Sequence, residues 1–411
     1  MATDLGYLPR LQSREDYVDH LEGFTLPTVD ELKEGKLSRK LIKSYMLETA
    51  RHDHEVPELT SVFPDRVRLH RLDDTLYRVE DAYHDGKVVG LIESLQDRHP
   101  VFYTTLAADE SNKWVRQVVD QNPWLDRLWL SSPILFELWQ YVKRNTPDHR
   151  YVRLGFEHEA WYETSTDYYD PDSSTDHEES DSNDEEDTAL GLIERRRSKV
   201  ALTERLGILQ EKLQQLIDLY DPLHSLVQLQ IPSGGHGGHV FYHDGRSTNR
   251  SDSFVEHRAT IELVLKLYRS VTENAESHLW VDTTEVGEDG FIINGAPVTI
   301  RFHEPLSEAT FNRFIDLGLQ RRTSRFRIGG YATRRGPTKV HLAAIDRHLW
   351  QPFLMEATNK QLLGVLPSGT CGNTIHRLVT NVQRYLNPNI DVWLGSKLYT
   401  ETVADSMAAS A

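Results

Sequence analysis

Apolar positions change their spacing several times along this 411-residue chain, and each change marks an expected element. Between Val29 and Ala50 they recur at helical intervals, at Leu32, Leu37, Leu41, Ile42 and Met46, and residues 1–62 read as a helical lead-in. From Asp74 to Tyr83 the pattern alternates through Leu76, Arg78 and Glu80, then stops at Asp85-Gly86, a strong turn pair. The spacing then predicts a helix near Val88–Leu95, a strand over Val101–Leu106 and a helix over Asn112–Gln121. A strand at Leu128–Ser131, a helix at Ile134–Arg144 and a strand at Tyr151–Glu159 follow. Strands alternating with helices imply a mainly parallel sheet, so residues 63–162 are expected to form a small α/β domain.

Periodicity vanishes over residues 163–188, which hold almost nothing to bury after Tyr169 and read as an acidic disordered linker. Residues 189–222 then carry Leu202, Leu206, Leu209, Leu213, Leu216 and Tyr220 at 4-3-4-3-4 spacing, the rhythm of a coiled coil. That stripe predicts a heptad-patterned helix, either pairing a homodimer through Leu202, Leu206, Leu209, Leu213 and Leu216 or packed on its own domain.

Beyond it, residues 223–399 are strand-rich and read as an α+β domain. Strands are expected at Val227–Ile231, His239–Tyr242, His278–Val286 and Phe291–Phe302, with a helix over Val255–Thr272. Ser307 opens a helix as its N-cap. Hairpins Phe326–Thr333 with Lys339–Ile345, and Gln351–Ala357 with Gln361–Leu366, precede a helix at Thr374–Leu386. Residues 400–411 read as a disordered tail. From Val298 the expected order is β-α-β-β-β-β-α, an antiparallel sheet with helices on one face. It resembles one half of the TATA-binding-protein saddle over about 90 residues. The chain holds no second copy and no place for the saddle's paired phenylalanine wedges, so the resemblance is one of element order and carries no function.

Charge sharpens this picture. The formal net charge is −17, but Glu163 to Asp187 holds twelve acids and no Lys or Arg, so the remainder is nearly balanced. Against that background, residues 317–345 hold six arginines, one lysine and no acid. Guanidinium forks match phosphate oxygens and flat rings accept bases. Arg321, Arg322, Arg325, Arg327, Tyr331, Arg334, Arg335 and Lys339 are therefore the candidate nucleic-acid site. On a strand, Arg325 and Arg327 would project together while Phe326 and Ile328 point the other way. A solvated, aggregation-guarding edge is the plain alternative. The acidic run could likewise be a linker, or a phosphate mimic that masks the basic patch.

Three weaker constellations complete the inventory. Pro367 to Thr374 precedes a helix, where Gly369, Gly372, Asn373 and Thr374, with Arg377 on the first turn, could hold a phosphate or simply cap the helix. The run lacks a P-loop lysine. His236, His239 and His243 could present imidazoles to zinc, with Asp244 as the nearest acid. Asp282 and Glu285 could hold Mg²⁺ as the catalytic carboxylates of a nuclease or phosphodiesterase, and they equally suit a polar turn. No complete catalytic signature is present. Cys371 is the only cysteine, which excludes an intramolecular disulfide. The first ten residues lack a signal-peptide pattern, and no apolar run approaches membrane-spanning length. The sequence thus points to a cytoplasmic, non-enzymatic, nucleic-acid-associated protein needing no cofactor, with a metal-dependent nuclease and a protein-interaction scaffold as alternatives.

Overall fold

Strands buried on both faces organise the first half of the chain. The computed structural model describes residues 6–33, 41–49, 57–120, 122–161, 195–287, 290–319 and 325–410. Its larger sheet has eleven strands: β1 (Lys43–Thr49), β2 (Val67–Arg71), β3 (Leu76–Asp81), β4 (Lys87–Gln96), β5 (His99–Thr104), β6 (Leu125–Arg127), β7 (Tyr151–Trp161), β8 (Arg195–Arg205), β9 (Leu226–Pro232), β10 (Gly238–Tyr242) and β11 (Arg246–Asn249). They lie in the order β2-β3-β4-β5-β1-β11-β10-β9-β7-β8, with β6 beside the end of β1. Every residue of β1 and β5 is buried. One face packs Tyr45, Leu47 and Phe102 against Trp114 and Val118 of α3 (Ala108–Asp120); the other lies under α1 (Arg14–Lys33) and α6 (Phe254–Leu279). The remaining helices are α2 (Leu59–Val62), α4 (Ser132–Asn145), α5 (Leu206–Ile217), α7 (Glu308–Arg313), α8 (Asn373–Tyr385) and α9 (Tyr399–Ser410).

The ribbon β12 (Asp282–Val286) and β13 (Gly290–Asn294) stands apart as a two-stranded sheet. The third sheet has seven strands in the order β15-β16-β17-β18-β14-β19-β20. They are β14 (Val298–Phe302), β15 (Ile328–Gly336), β16 (Lys339–Asp346), β17 (Gln351–Thr358), β18 (Gln361–Val365), β19 (Ile390–Leu394) and β20 (Lys397–Leu398). One face of this sheet joins the main core, whereas the other is open: β16 alternates buried Val340, Leu342 and Ala344 with exposed His341, Ala343 and Ile345. Helix α8 is wedged between the two large sheets, and all thirteen of its residues are buried. Among the described residues, no helix is long and apolar enough to cross a membrane.

The expected parallel N-terminal sheet is overturned: every pairing between these strands is antiparallel. Connections explain this, because β4 and β5 are separated by two residues and parallel neighbours need a crossover of a dozen or more. The stretch Val88–Leu95 is strand β4, not a helix. Flanked by β3 and β5 and buried on both faces, it carries the continuous apolar run of a central strand rather than an alternating one. The C-terminal part of the Val29–Ala50 helix is likewise strand β1, with residues 34–40 outside the described set.

The heptad helix also gives way. Leu202 lies in β8, and α5 begins only at Leu206. Leu206, Leu209 and Leu213 are buried in the chain's own core, so they offer no seam to a second copy. Strands β9 to β11 join the same sheet as β1 to β5, so the residues on either side of the acidic run share one sheet. That run itself, residues 163–187, lies outside the described residues. Residues expected to form a tail make α9 instead, where Tyr399, Val403 and Met407 recur every four residues and enter the core.

Candidate nucleic-acid interface

Register places the open face of the seven-stranded sheet residue by residue. Tyr331 pairs with Ala343 and Thr333 with His341; His341 in turn pairs with Glu356, and Ala343 with Leu354. Tyr331 is 80% exposed. Arg335 is exposed at the end of β15, where the register shifts just before the Pro337-Thr338 turn that leads to Lys339. The adjacent turn brings Lys360 to the same end, since Asn359 N–H donates to Thr338 O (3.3 Å) and Phe302 N–H to Lys360 O (3.0 Å). Arg301 sits there too, opposite Gln361, with its guanidinium 5.8 Å from the Trp393 ring. One end of this face is therefore basic. Its acids are committed: Glu356 takes both Lys339 (2.9 Å) and His341 (2.9 Å), and Asp391 faces His303 (3.3 Å).

Not every predicted arginine belongs to that end. Arg327 adopts a left-handed backbone (φ 52°), which breaks the strand alternation before β15 begins. Its side chain is buried and ion-paired with Asp126 (3.0 Å). Arg325 donates to Tyr385 Oη, and Arg334 reaches Asn312 Oδ1 (2.7 Å). Arg321 and Arg322 lie outside the described residues. Arg334, opposite buried Val340, lies on the other face of the sheet, so the basic end of the open face comprises exposed Arg301, Arg335 and Lys360 with half-buried Lys339, of which the sequence pattern named two.

The phosphate expectation at α8 meets an occupied helix start. Glu276 already accepts from Gly372 N–H (2.8 Å), and the Asn373 side chain bridges Tyr268 Oη (2.6 Å), Trp129 N–H (3.1 Å) and Arg127 O (2.8 Å). Thr374 donates to Asp346. Arg377 is fully buried between Asp126 and Asp346. Gly369 adopts φ 87° in the preceding turn. A carboxylate fills the role a phosphate would take, and the basic residue is spent on core acids.

The other candidates do not converge. His239 bonds His257 (3.1 Å), His243 bonds Arg384 (2.7 Å), and His236 is exposed in the turn between β9 and β10. No metal-holding cluster of three such ligands occurs among the described residues. Asp282 and Glu285 differ by three positions on one strand, so they point to opposite faces of the ribbon and cannot share an ion. Cys371 is buried beside Arg98 (3.1 Å), and burial pushes its thiol well up.

The sequence reading missed a buried charged centre around α8. Burial would raise the Asp126 carboxyl, but Arg377 and Arg327 hold it down to about 2. Burial likewise opposes ionisation of Glu48, which Arg98 (2.5 Å) and His99 (2.8 Å) hold down to about 2. Arg98 also grips Glu276 through both terminal nitrogens (3.0 and 2.9 Å). His376 sits between Thr272 (3.0 Å) and Tyr399 (2.6 Å), and burial drives it down to about 3. The clue was present: Glu48 and Asp126 are single acids inside apolar runs, where only a paired charge is tolerated.

A family model described as MJECL33-like protein matches residues 8–400, from the Leu8 bridge on β4 to the first turn of α9. The chain belongs to the MJECL33-like family. A curated relative, the uncharacterized protein MJECL33 of Methanocaldococcus jannaschii, is 26% identical over 143 residues. That alignment covers 35% of this chain and 33% of the relative, so the chain spans about a third of the length of the relative it matches. The family match takes in both large sheets and the buried centre between them.

Proposed function

We propose that the protein associates with nucleic acid, the basic end of its open sheet holding phosphates while Tyr331 and neighbouring rings receive bases. The observation that carries this reading is the Tyr331 ring, 80% exposed on the open sheet face, with exposed Arg335 further along the same strand and Lys339 across the hairpin. An exposed ring beside guanidinium groups is what sequence-tolerant binding of a single strand uses. A duplex fits less well, because it hides its bases and offers stacking no surface. The reading is non-enzymatic, since Asp282 and Glu285 face apart and the buried acids are neutralised by arginines. The cytoplasm is the proposed setting, where one buried thiol needs no partner.

The test is anisotropy of labelled single-stranded and duplex oligonucleotides over a salt series. Wild-type protein should prefer the single strand. Arg335→Ala/Lys339→Ala/Lys360→Ala should flatten the log–log salt slope by about 2, near 0.7 per lost phosphate contact. Tyr331→Ala should weaken binding by roughly tenfold or more, with the slope unchanged. Absence of binding by both the full chain and one lacking residues 163–187, which removes any self-masking, would overturn the reading.

A further inference from the structure

Among the described residues, the β12–β13 ribbon pairs with no other strand. Its pairs Thr283↔Ile293 and Glu285↔Phe291 place Phe291 and Ile293 on one face, both 73% exposed. Val286 (49%) and Ile292 (54%) occupy the other. Two strands alone bury too little to be stable in water, and here large apolar side chains stand exposed on both faces. Its base is nevertheless fixed. Val281 bridges to Pro367, with Val281 N–H donating to Leu366 O (2.9 Å) and Ser368 N–H to Val281 O (3.1 Å). Trp280 Nε1 donates to Thr370 O (2.6 Å). Gly295, at φ 84°, closes the neck so tightly that a Cβ would lie 2.1 Å from Trp280 O. A rigid stem thus presents a bare apolar ribbon roughly 17 Å long.

Strand register puts that stem at the end of the seven-stranded sheet opposite the basic turns, where β18 finishes and β14 begins. The open face at this end is apolar: Ile345 pairs with Pro352, and Leu354 neighbours them at 51% exposure, with Trp350 at 60% just before β17. We infer that the ribbon of one copy lies on this apolar end of the open sheet of a second copy, and reciprocally, to make a twofold dimer. Area selects a second copy. The Phe291/Ile293 face of the ribbon together with Ile345, Leu354 and Trp350 of the sheet end exposes apolar surface on the order of 600 Å², which reaches the lower end of a specific interface at about 600 Å² per partner. One chain carries both halves of the interface, which an isologous dimer requires. This inference does not depend on nucleic-acid binding, because the basic end stays uncovered.

Sedimentation velocity of the full chain over a concentration series tests it. Wild type should be dimeric at micromolar concentration. Phe291→Ser/Ile293→Ser and Ile345→Ser/Leu354→Ser should each weaken dimerisation about a hundredfold or more, as loss of interface anchors does. These positions are solvent-facing within one copy, so each variant should keep the wild-type circular dichroism spectrum. An equimolar mixture of the two variants should regain dimer, since the intact ribbon of one meets the intact face of the other. Three results would overturn the inference: a monomeric wild type, a dimer indifferent to both variant pairs, or a monomer that floats with phosphatidylcholine vesicles through Phe291 and Ile293.

Discussion

Arg377 shows how one residue can be misread from sequence alone. Its place on the first turn after a glycine-rich run suggests a phosphate ligand, yet it lies buried between Asp126 and Asp346. Removing one member of a buried, hydrogen-bonded charge group leaves the others uncompensated, so Arg377→Met should cost roughly 3–5 kcal/mol in urea unfolding. Arg335→Ala, at the exposed end of β15, should stay within about 0.5 kcal/mol. The same centre sets a pH dependence. Asp126 and Glu48 have folded values near 2, below their ordinary 3.8 and 4.5. His376 is lowered from 6.5 to about 3. In each case the unfolded chain binds protons first, so the stabilisation is whole above the ordinary values and is lost as pH falls. Unfolding free energy should begin to drop below pH 6.5, through His376, and fall more steeply between about 4.5 and 2, through the carboxyls. Urea midpoints across that range check it; Asp126→Asn should remove part of the lower limb.

At the scale of elements, legibility depended on how many neighbours a segment has. Hairpins with one open face kept their alternation, as β16 does, and could be located from polar and apolar positions. Central strands lost it, since β4 is buried on both sides and its run of Val88, Val89, Leu91 and Ile92 fits helix and strand equally. Leucines at heptad spacing misled for a related reason: a helix packed on its own sheet needs the same stripe as one packed on a partner. Arg327 shows the limit at a single position, where a left-handed backbone reverses which side chains share a face. Helix α5 offers a direct check. Leu209→Ala should cost roughly 2–5 kcal/mol because it opens a cavity in the core. Leu219→Ala, at 79% exposure, should do almost nothing, and neither should change the association state.

Across the whole molecule, two sheets enclose a helix whose every residue is buried, and charge is divided between inside and outside. The interior arginines Arg98, Arg327, Arg377 and Arg384 are matched by Glu48, Glu276, Asp126, Asp346 and Glu157, which leaves them no role at the surface. Exposed Arg301, Arg335 and Lys360 gather at one end of the open sheet and the exposed apolar ribbon stands at the other. That division was hidden in the sequence, where Arg327 and Arg335 look alike and only the fold separates a core ion pair from a free guanidinium. Ultraviolet crosslinking of the wild-type protein to a single-stranded oligonucleotide, with mass spectrometric mapping of the adduct, tests the proposed interface most directly. An adduct on Tyr331, abolished by Arg335→Ala/Lys339→Ala/Lys360→Ala and by high salt, is the expected result. Adducts confined to rings away from the open sheet, such as Tyr83 or Trp124, would contradict it.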